Sequence, residues 1–305
     1  MHLLRLSDHR LEAPVEALGR LASEHGHLNV FNPSVVVVDG TWHLAYRAQS
    51  RPGEKPFRAF YAQGGPDGFG TPVDLSEVAA AAGLAPTADP KLFRLDGEVY
   101  ATFNTGYTAG TNNEICVMRL TPEVGPPQRC LLADRQFVEK NWAFFHGGDG
   151  VLHAIYTLRP LVLLRLTAGD VGTSDDLKFE RVVPDASGGP RLPDLTIGTQ
   201  LSFADPQTAY LIGHQKVVIG RKRAYLGRPV RVDLSGGRFA VRAGDARLIH
   251  SYRALVPPRD RHNPNLISAT YFSGLVAREG RFLLGYGIND LTYSFAELPV
   301  EALWA

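Results

Sequence analysis

Five times along the 305-residue chain the same pattern returns: an apolar run, a tight turn, and a second apolar run ending in polar residues. The copies are Phe31 to Gln49 (FNPSVVVVDGTWHLAYRAQ), Asp89 to Gly106 (DPKLFRLDGEVYATFNTG), Glu139 to Pro160 (EKNWAFFHGGDGVLHAIYTLRP), Gly198 to Lys216 (GTQLSFADPQTAYLIGHQK) and Phe272 to Asp290 (FSGLVAREGRFLLGYGIND). β-Branched and aromatic residues fill both arms, and Asp-Gly or Glu-Gly stands at four of the five turns, so each copy reads as a β-hairpin. The turn glycines Gly40, Gly97, Gly150 and Gly280, with a Pro206 to Thr208 turn before the last, lie roughly 50 to 75 residues apart, near the spacing of propeller blades. The expected fold is therefore all-β, a five-bladed β-propeller, with residues 1–305 forming one unit.

In a propeller the inner strands converge on the axis, so polar residues flanking the hairpins become neighbours although they are far apart in sequence. Those flanks carry Asn32, Arg47, Asp89, Lys91, Asn104, Glu139, Lys140, Asn141, Arg159, His214, Lys216 and Asp290. The expected site lies there.

Composition fits one enzyme-sized globular unit. Hydrophobic residues make up 44% of the chain, enough for a core, and 31 Gly with 21 Pro suit an all-β protein full of turns. A formal net charge of +1 gives no reason to expect nucleic acid or an anionic membrane as partner. Arg5, Asp8, His9 and Arg10 interrupt what would be the apolar segment of a signal peptide. Only Cys116 and Cys130 are present, with no disulfide framework, so a reducing, cytoplasmic setting is expected.

Between the hairpins, residues 1–30 are mixed, with a short helix expected over Val15 to Ser23 that covers or closes one end of the propeller. Val73 to Ala85 reads as a helical insertion capped by Ser76 and ended by Gly83. Gly169 to Asp194 reads as a long loop, and Arg221-Lys222-Arg223 as a charged outer strand or turn. The chain has no HExxH, no paired Cys/His spacing, no GxSxG and no P-loop, and its ten histidines are dispersed. No metal or organic cofactor is called for.

The flanks admit two readings each. Asp89-Pro90 is either a turn device at a strand start or, by analogy with Asn32-Pro33, an axis-facing carboxylate. Glu139-Lys140-Asn141-Trp142 is either a salt-bridged turn with a packed Trp or a set suited to a sugar, Trp142 offering the flat platform. Arg47 and Arg159 end apolar arms, so they either snorkel outward or join Lys140 and Lys216 in a cationic cluster for phosphate. His214 is either a satisfied structural histidine or a ligand contact, and Asn289-Asp290 either a turn or part of the ring of contacts.

The order of these motifs resembles glycoside hydrolase family 130 and its β-1,2-mannosyltransferase and mannoside phosphorylase relatives. The motifs are Asn-Pro with a following Tyr-Arg, Asp-Pro-Lys, Glu-Lys-Asn-Trp with a downstream Leu-Arg-Pro, Gly-His with Tyr-Leu-Gly, and Tyr-Gly-x-Asn-Asp. The resemblance covers most of the chain and rests on collinearity, each motif being short. It implies an inverting reaction on a β-mannoside or related oligosaccharide, with Asp89 as the single acid or base, in phosphorylases acting through a sugar hydroxyl. It further implies phosphate or mannose 1-phosphate held by Lys140 and Arg159 with His214 and Tyr225, and sugar contacts at Asn32, Arg47 and Asp290. Lys91 replaces the usual Arg, and Leu158 stands where the family often has His.

Elementary chemistry separates the possible reactions. Inverting hydrolysis needs a second carboxylate to activate water, roughly 6.5–9.5 Å from the acid. Phosphate is already an anionic nucleophile and needs positive charge instead. Lys140 and Arg159 favour phosphorolysis or its reverse, while Glu139 and Asp290 keep hydrolysis open, and a carbohydrate-binding propeller without catalysis is the rival of another class.

Overall fold

The computed structural model describes residues 2–107, 112–182, 195–235, 239–255 and 266–304. All five hairpins form as antiparallel pairs: Leu28–Val38 with Thr41–Gln49, Ala88–Leu95 with Glu98–Asn104, Ala143–His146 with Leu152–Leu158, Ser202–Asp205 with Thr208–Ile219, and Leu266–Arg278 with Arg281–Ile288. Three of the turns put two residues in succession in the left-handed region: Asp39-Gly40 (φ 49° and 80°), Asp96-Gly97 (49° and 86°) and Glu279-Gly280 (49° and 69°). That is the twist two-residue hairpin loops require, and it explains the recurrence of acid-Gly pairs.

Side chains alternate across a strand, so each hairpin feeds two cores. In Thr41–Gln49, Trp42, Leu44 and Tyr46 join Phe295 and Leu283 of the last hairpin unit. Ala45, between them, joins Leu92 and Phe103 of the second. Phe93 and Tyr100 meet Phe144 and Tyr156; Phe145 and Ile155 meet Leu211 and Val230; Ile212 and Leu248 meet Phe272 and Phe282. The core is thus a cycle of wedges between successive hairpins, the last returning to the first. Burial on both faces is why the sequence runs are nearly continuous in apolar residues rather than alternating.

The seam between first and last hairpins is backbone against backbone. Ser34 donates to the Ser273 carbonyl at 2.8 Å and accepts from the Leu92 amide at 2.9 Å, while Ser273 donates to the Pro33 carbonyl at 2.8 Å. The approach leaves no room for side chains at Gly274 and Gly285, where a Cβ would sit 2.5 Å from the Val35 nitrogen and 2.3 Å from the Pro33 oxygen.

The N-terminal segment runs along this ring. His2–Arg5 pairs in parallel with Ala246–Ile249, and Arg10 bridges Ala296. Helix α1 spans Glu12–Glu24, longer than expected, and packs Leu18 and Leu21 into the wedge shared by the first and last hairpins. Helix α2 (Leu75–Ala81) forms in the expected insertion and ends at Gly83 (φ 73°), but its cap is Asp74, which accepts from the Glu77 amide at 3.0 Å. Ser76 instead accepts from the Ala59 amide at 2.8 Å. The stretch expected as one long loop contains a strand, Asp176–Val182, paired with both Leu161–Ala168 and Pro127–Leu132; residues 183–194 lie outside the described part. Among the described residues no helix is long and apolar enough to cross a membrane.

Candidate active site

Three equivalent hairpin entrances share one conformation. Asn32 (φ 51°), Asp89 (φ 51°) and Asn141 (φ 57°) are left-handed, a region that Asn and Asp enter more readily than other side-chain-bearing residues. At the first two the strand register slips, between Phe31 and Ser34 and between Ala88 and Lys91. Such bulges redirect a side chain, and all three residues line one cavity of about 890 Å³. Asp89-Pro90 therefore both turns the backbone and presents a carboxylate.

The Asp89 carboxylate is held by Arg47 at 3.0 Å. The Arg47 guanidinium lies over the rings of Phe31 and Phe57, 5.2 and 5.5 Å from their centroids, which fixes its plane. Burial works to raise the Asp89 pKa, but the charges of Arg47, Lys91 and Lys140 outweigh it and hold the group below its ordinary value, as a carboxylate at neutral pH. Lys91 is 1% exposed, its ammonium has no hydrogen-bond partner among the described residues, and it lies 5.4 Å from the centre of the Tyr271 ring. Burial, with Lys140 adding and Asp89 opposing, brings its pKa down to about 7.

His214 accepts a hydrogen bond at Nε2 from the Phe272 amide at 2.9 Å, which assigns the ring proton to Nδ1, and it packs 4.3 Å from Tyr271. Burial, then the Lys91 charge, pushes its pKa down to about 3 despite Asp89. The sign follows from the unfolded state binding the proton first: this histidine's contribution is intact above about pH 6.5 and lost as pH falls toward 3. Acid should therefore remove roughly 1.4 kcal/mol of stability per pH unit through this one proton. His214→Gln, which keeps an acceptor, should flatten that limb in melting curves taken between pH 6.5 and 4; an unchanged limb would refute the assignment.

The structure brings Asn32, Arg47, Asp89, Lys140, Asn141, Arg159, His214, Tyr225 and Asp290 to the cavity wall. It does not bring Asn104, Glu139 or Trp142 there. Trp142 is 1% exposed and packs among Phe144, Tyr156 and Phe179, so it offers no sugar platform. Its indole donates to Glu139 at 3.0 Å, and the same carboxylate accepts from Tyr156 at 2.8 Å and the Gln136 amide at 2.7 Å. Asn104 accepts from Asn113, which also donates to the Glu139 carbonyl. These three residues brace the second and third hairpins from within. Lys91 likewise sits behind the wall, next to Asp89.

Among the lining residues that were not expected, Tyr271 and Arg223 bring aromatic and charged groups. Tyr271, hydrogen-bonded to the Asn141 side chain, adds an aromatic wall, and burial raises its pKa well above the ordinary value. Nothing in its sequence context marks it beyond its place at the entrance of the last hairpin. Arg223 reaches the cavity from the charged run read as outer surface.

No family model and no curated protein matches the chain by sequence. Solved structures do match. One comes from the GH130 family of mannoside phosphorylases, which contains glycoside hydrolases targeting β-1,2 mannosidic linkages in Candida mannan: 16% identity, 89% of this chain and 84% of that one, TM-score 0.59. The fold is that of GH130. A β-1,2-mannobiose phosphorylase from Listeria innocua shares this GH130 likeness at 9% identity, with 91% of each chain covered and a TM-score of 0.58. A GDP-Man-dependent mannosyltransferase from Leishmania mexicana matches at 15% identity over 93% of this chain and 88% of that one, TM-score 0.54. At such identities the likeness concerns the fold, which is found among carbohydrate-active enzymes.

Proposed function

We propose that the chain is an inverting β-mannoside phosphorylase or β-mannosyltransferase, its five hairpins the blades of a propeller and Asp89 its general acid or base. Mannose 1-phosphate or inorganic phosphate is the anionic reactant, held by Lys140 and Arg159 with His214 and Tyr225. Asn32, Arg47, Asn141 and Asp290 contact the sugar, and Lys91 acts from behind Asp89. The setting is the reducing cytoplasm, where the buried thiols Cys116 and Cys130 stay free.

One observation carries this reading: the cavity brings the carboxylates Asp89 and Asp290 together with the cations Arg47, Lys140, Arg159 and Lys216. Positive charge lining a cavity stabilises an attacking or departing phosphate. Glu139, with its oxygens committed to Trp142, Tyr156 and the Gln136 amide, is not placed to activate water. The depressed Asp89 pKa leaves the group ionised, and so open to a proton in the synthetic direction. A bound phosphate beside Lys140 and Arg47 would offset their charge and raise that pKa, making the group a better acid in phosphorolysis. Asp290 on the wall supports hydrolysis as the second reading.

Incubation with β-1,2-mannobiose, with and without inorganic phosphate, beside mannose 1-phosphate with a panel of acceptor sugars, tests the proposal. Phosphate-dependent formation or consumption of mannose 1-phosphate is expected. Release of free mannose at the same rate without phosphate would make Asp290 a water-activating base and the protein a hydrolase.

A further inference from the structure

The strands Thr208–Ile219 and Lys222–Asp233 are paired along their whole length, each 12 residues long. Among the described residues the neighbouring strands on that edge pair as far as Tyr210, for Ser202–Asp205, and Gln215, for Leu195–Ile197. The ribbon's far end is paired on its other edge, where Leu266 to Ala269 run parallel to Arg223 to Tyr225. Lys216 stands opposite Tyr225 and Val218 opposite Arg223, so alternation puts these four on one face. Lys216, Arg223 and Tyr225 line the cavity, which fixes the direction of that face.

The ribbon thus adds two cations, both on exposed residues, to a wall where Lys140 and Arg159 supply two besides Arg47, which is paired with Asp89. One phosphate does not need all four, since bidentate guanidinium and ammonium contacts saturate its oxygens. Between the two cationic pairs and the apolar stretch formed by Tyr225, Leu266, Ala269 and Tyr271, the cavity of about 890 Å³ has the size of a site for a ligand larger than a disaccharide and one phosphate.

We propose that the ribbon face is a second anion subsite and that the donor is a nucleoside diphosphate sugar, its two phosphates shared between Lys140 with Arg159 and Lys216 with Arg223. The inference rests on the mannosyl-transfer reading and selects its donor. Leu266, the strand partner of Arg223, offers the base an apolar contact at the ribbon end of the cavity. In the transfer an acceptor hydroxyl oxygen forms a bond to the anomeric carbon while the bond from that carbon to the phosphate oxygen breaks. Its electron pair leaves with the nucleoside diphosphate, and the hydroxyl proton passes to the Asp89 carboxylate. Inversion converts an α-linked donor into a β-mannoside.

Calorimetric titration of the full chain with inorganic phosphate, pyrophosphate, GDP and UDP tests this. Pyrophosphate and at least one nucleotide should bind tenfold or more tighter than phosphate. Arg223→Ala should weaken that nucleotide about tenfold and leave phosphate binding unchanged within twofold, with Arg223→Lys recovering part of the loss. The side chain is exposed, so the fold tolerates the change. Equal affinity for phosphate, pyrophosphate and both nucleotides, or an Arg223→Ala effect that is the same on all, would overturn the second subsite. Because the readout is binding, it stands apart from the turnover assays that judge the mannosyl-transfer reading.

Discussion

Asp89→Asn is expected to lower turnover roughly 10³-fold or more while leaving the fold in place. The carboxylate is the group on the cavity wall whose position is fixed twice, by the left-handed entrance that directs it and by Arg47 at 3.0 Å. Asparagine matches its shape and accepts the same backbone conformation, as Asn32 and Asn141 show at the equivalent entrances. What is lost is the ability to carry a proton. Steady-state rates of mannosyl transfer and phosphorolysis, with a melting curve as control, make the test; activity above about a tenth of the parent would remove Asp89 from its role. Removing the carboxylate also takes from Lys91 the charge that opposes its burial, so the lysine should titrate still lower in the variant.

Gly285→Ala should cost about 3 kcal/mol, the upper end of what overpacking costs. The added methyl would meet the Pro33 carbonyl oxygen at 2.3 Å and its carbon at 3.2 Å. Those are backbone atoms locked by the Ser273 hydrogen bond, not the far end of a side chain that can swing away. A fall in melting temperature of roughly 6 °C or more is expected, together with a raised KM, because Asn32 and Asp290 lie on the two elements forced apart. A melting temperature within about 2 °C of the parent would show that the seam yields without cost.

The hairpins were legible because their turns are local chemistry: Asp39-Gly40, Asp96-Gly97 and Glu279-Gly280 specify their geometry within two residues. The entrances were legible for the same reason, since Asn-Pro and Asp-Pro mark a bend and the bend aims the side chain. The misreadings concern partners distant in the chain. Trp142 looked available to a sugar because nothing near it reveals that Glu139 is engaged by Tyr156, 17 residues on. Arg221-Lys222-Arg223 is the exposed turn and strand that its charge suggested, but that Arg223 also lines the cavity was not legible, because a charge run reads alike wherever its strand leads. Ser76 lost the helix cap to Asp74 through a contact with Ala59, on a neighbouring strand.

The seam also orders events during synthesis. Ser34 meets Ser273 across 239 positions, and Ser273 meets Pro33 across 240, so the first hairpin waits for almost the whole chain before its open side is covered. Loops of that length close slowly, and until then the apolar face carrying Trp42, Leu44 and Tyr46 has no permanent cover beyond helix α1. The cavity has the same timetable, because Asn32 comes from the first hairpin to emerge and Tyr271 and Asp290 from the last. A nascent or truncated chain ending before residue 290 therefore holds Asp89 without the opposite wall, and the cavity is complete only with the last hairpin.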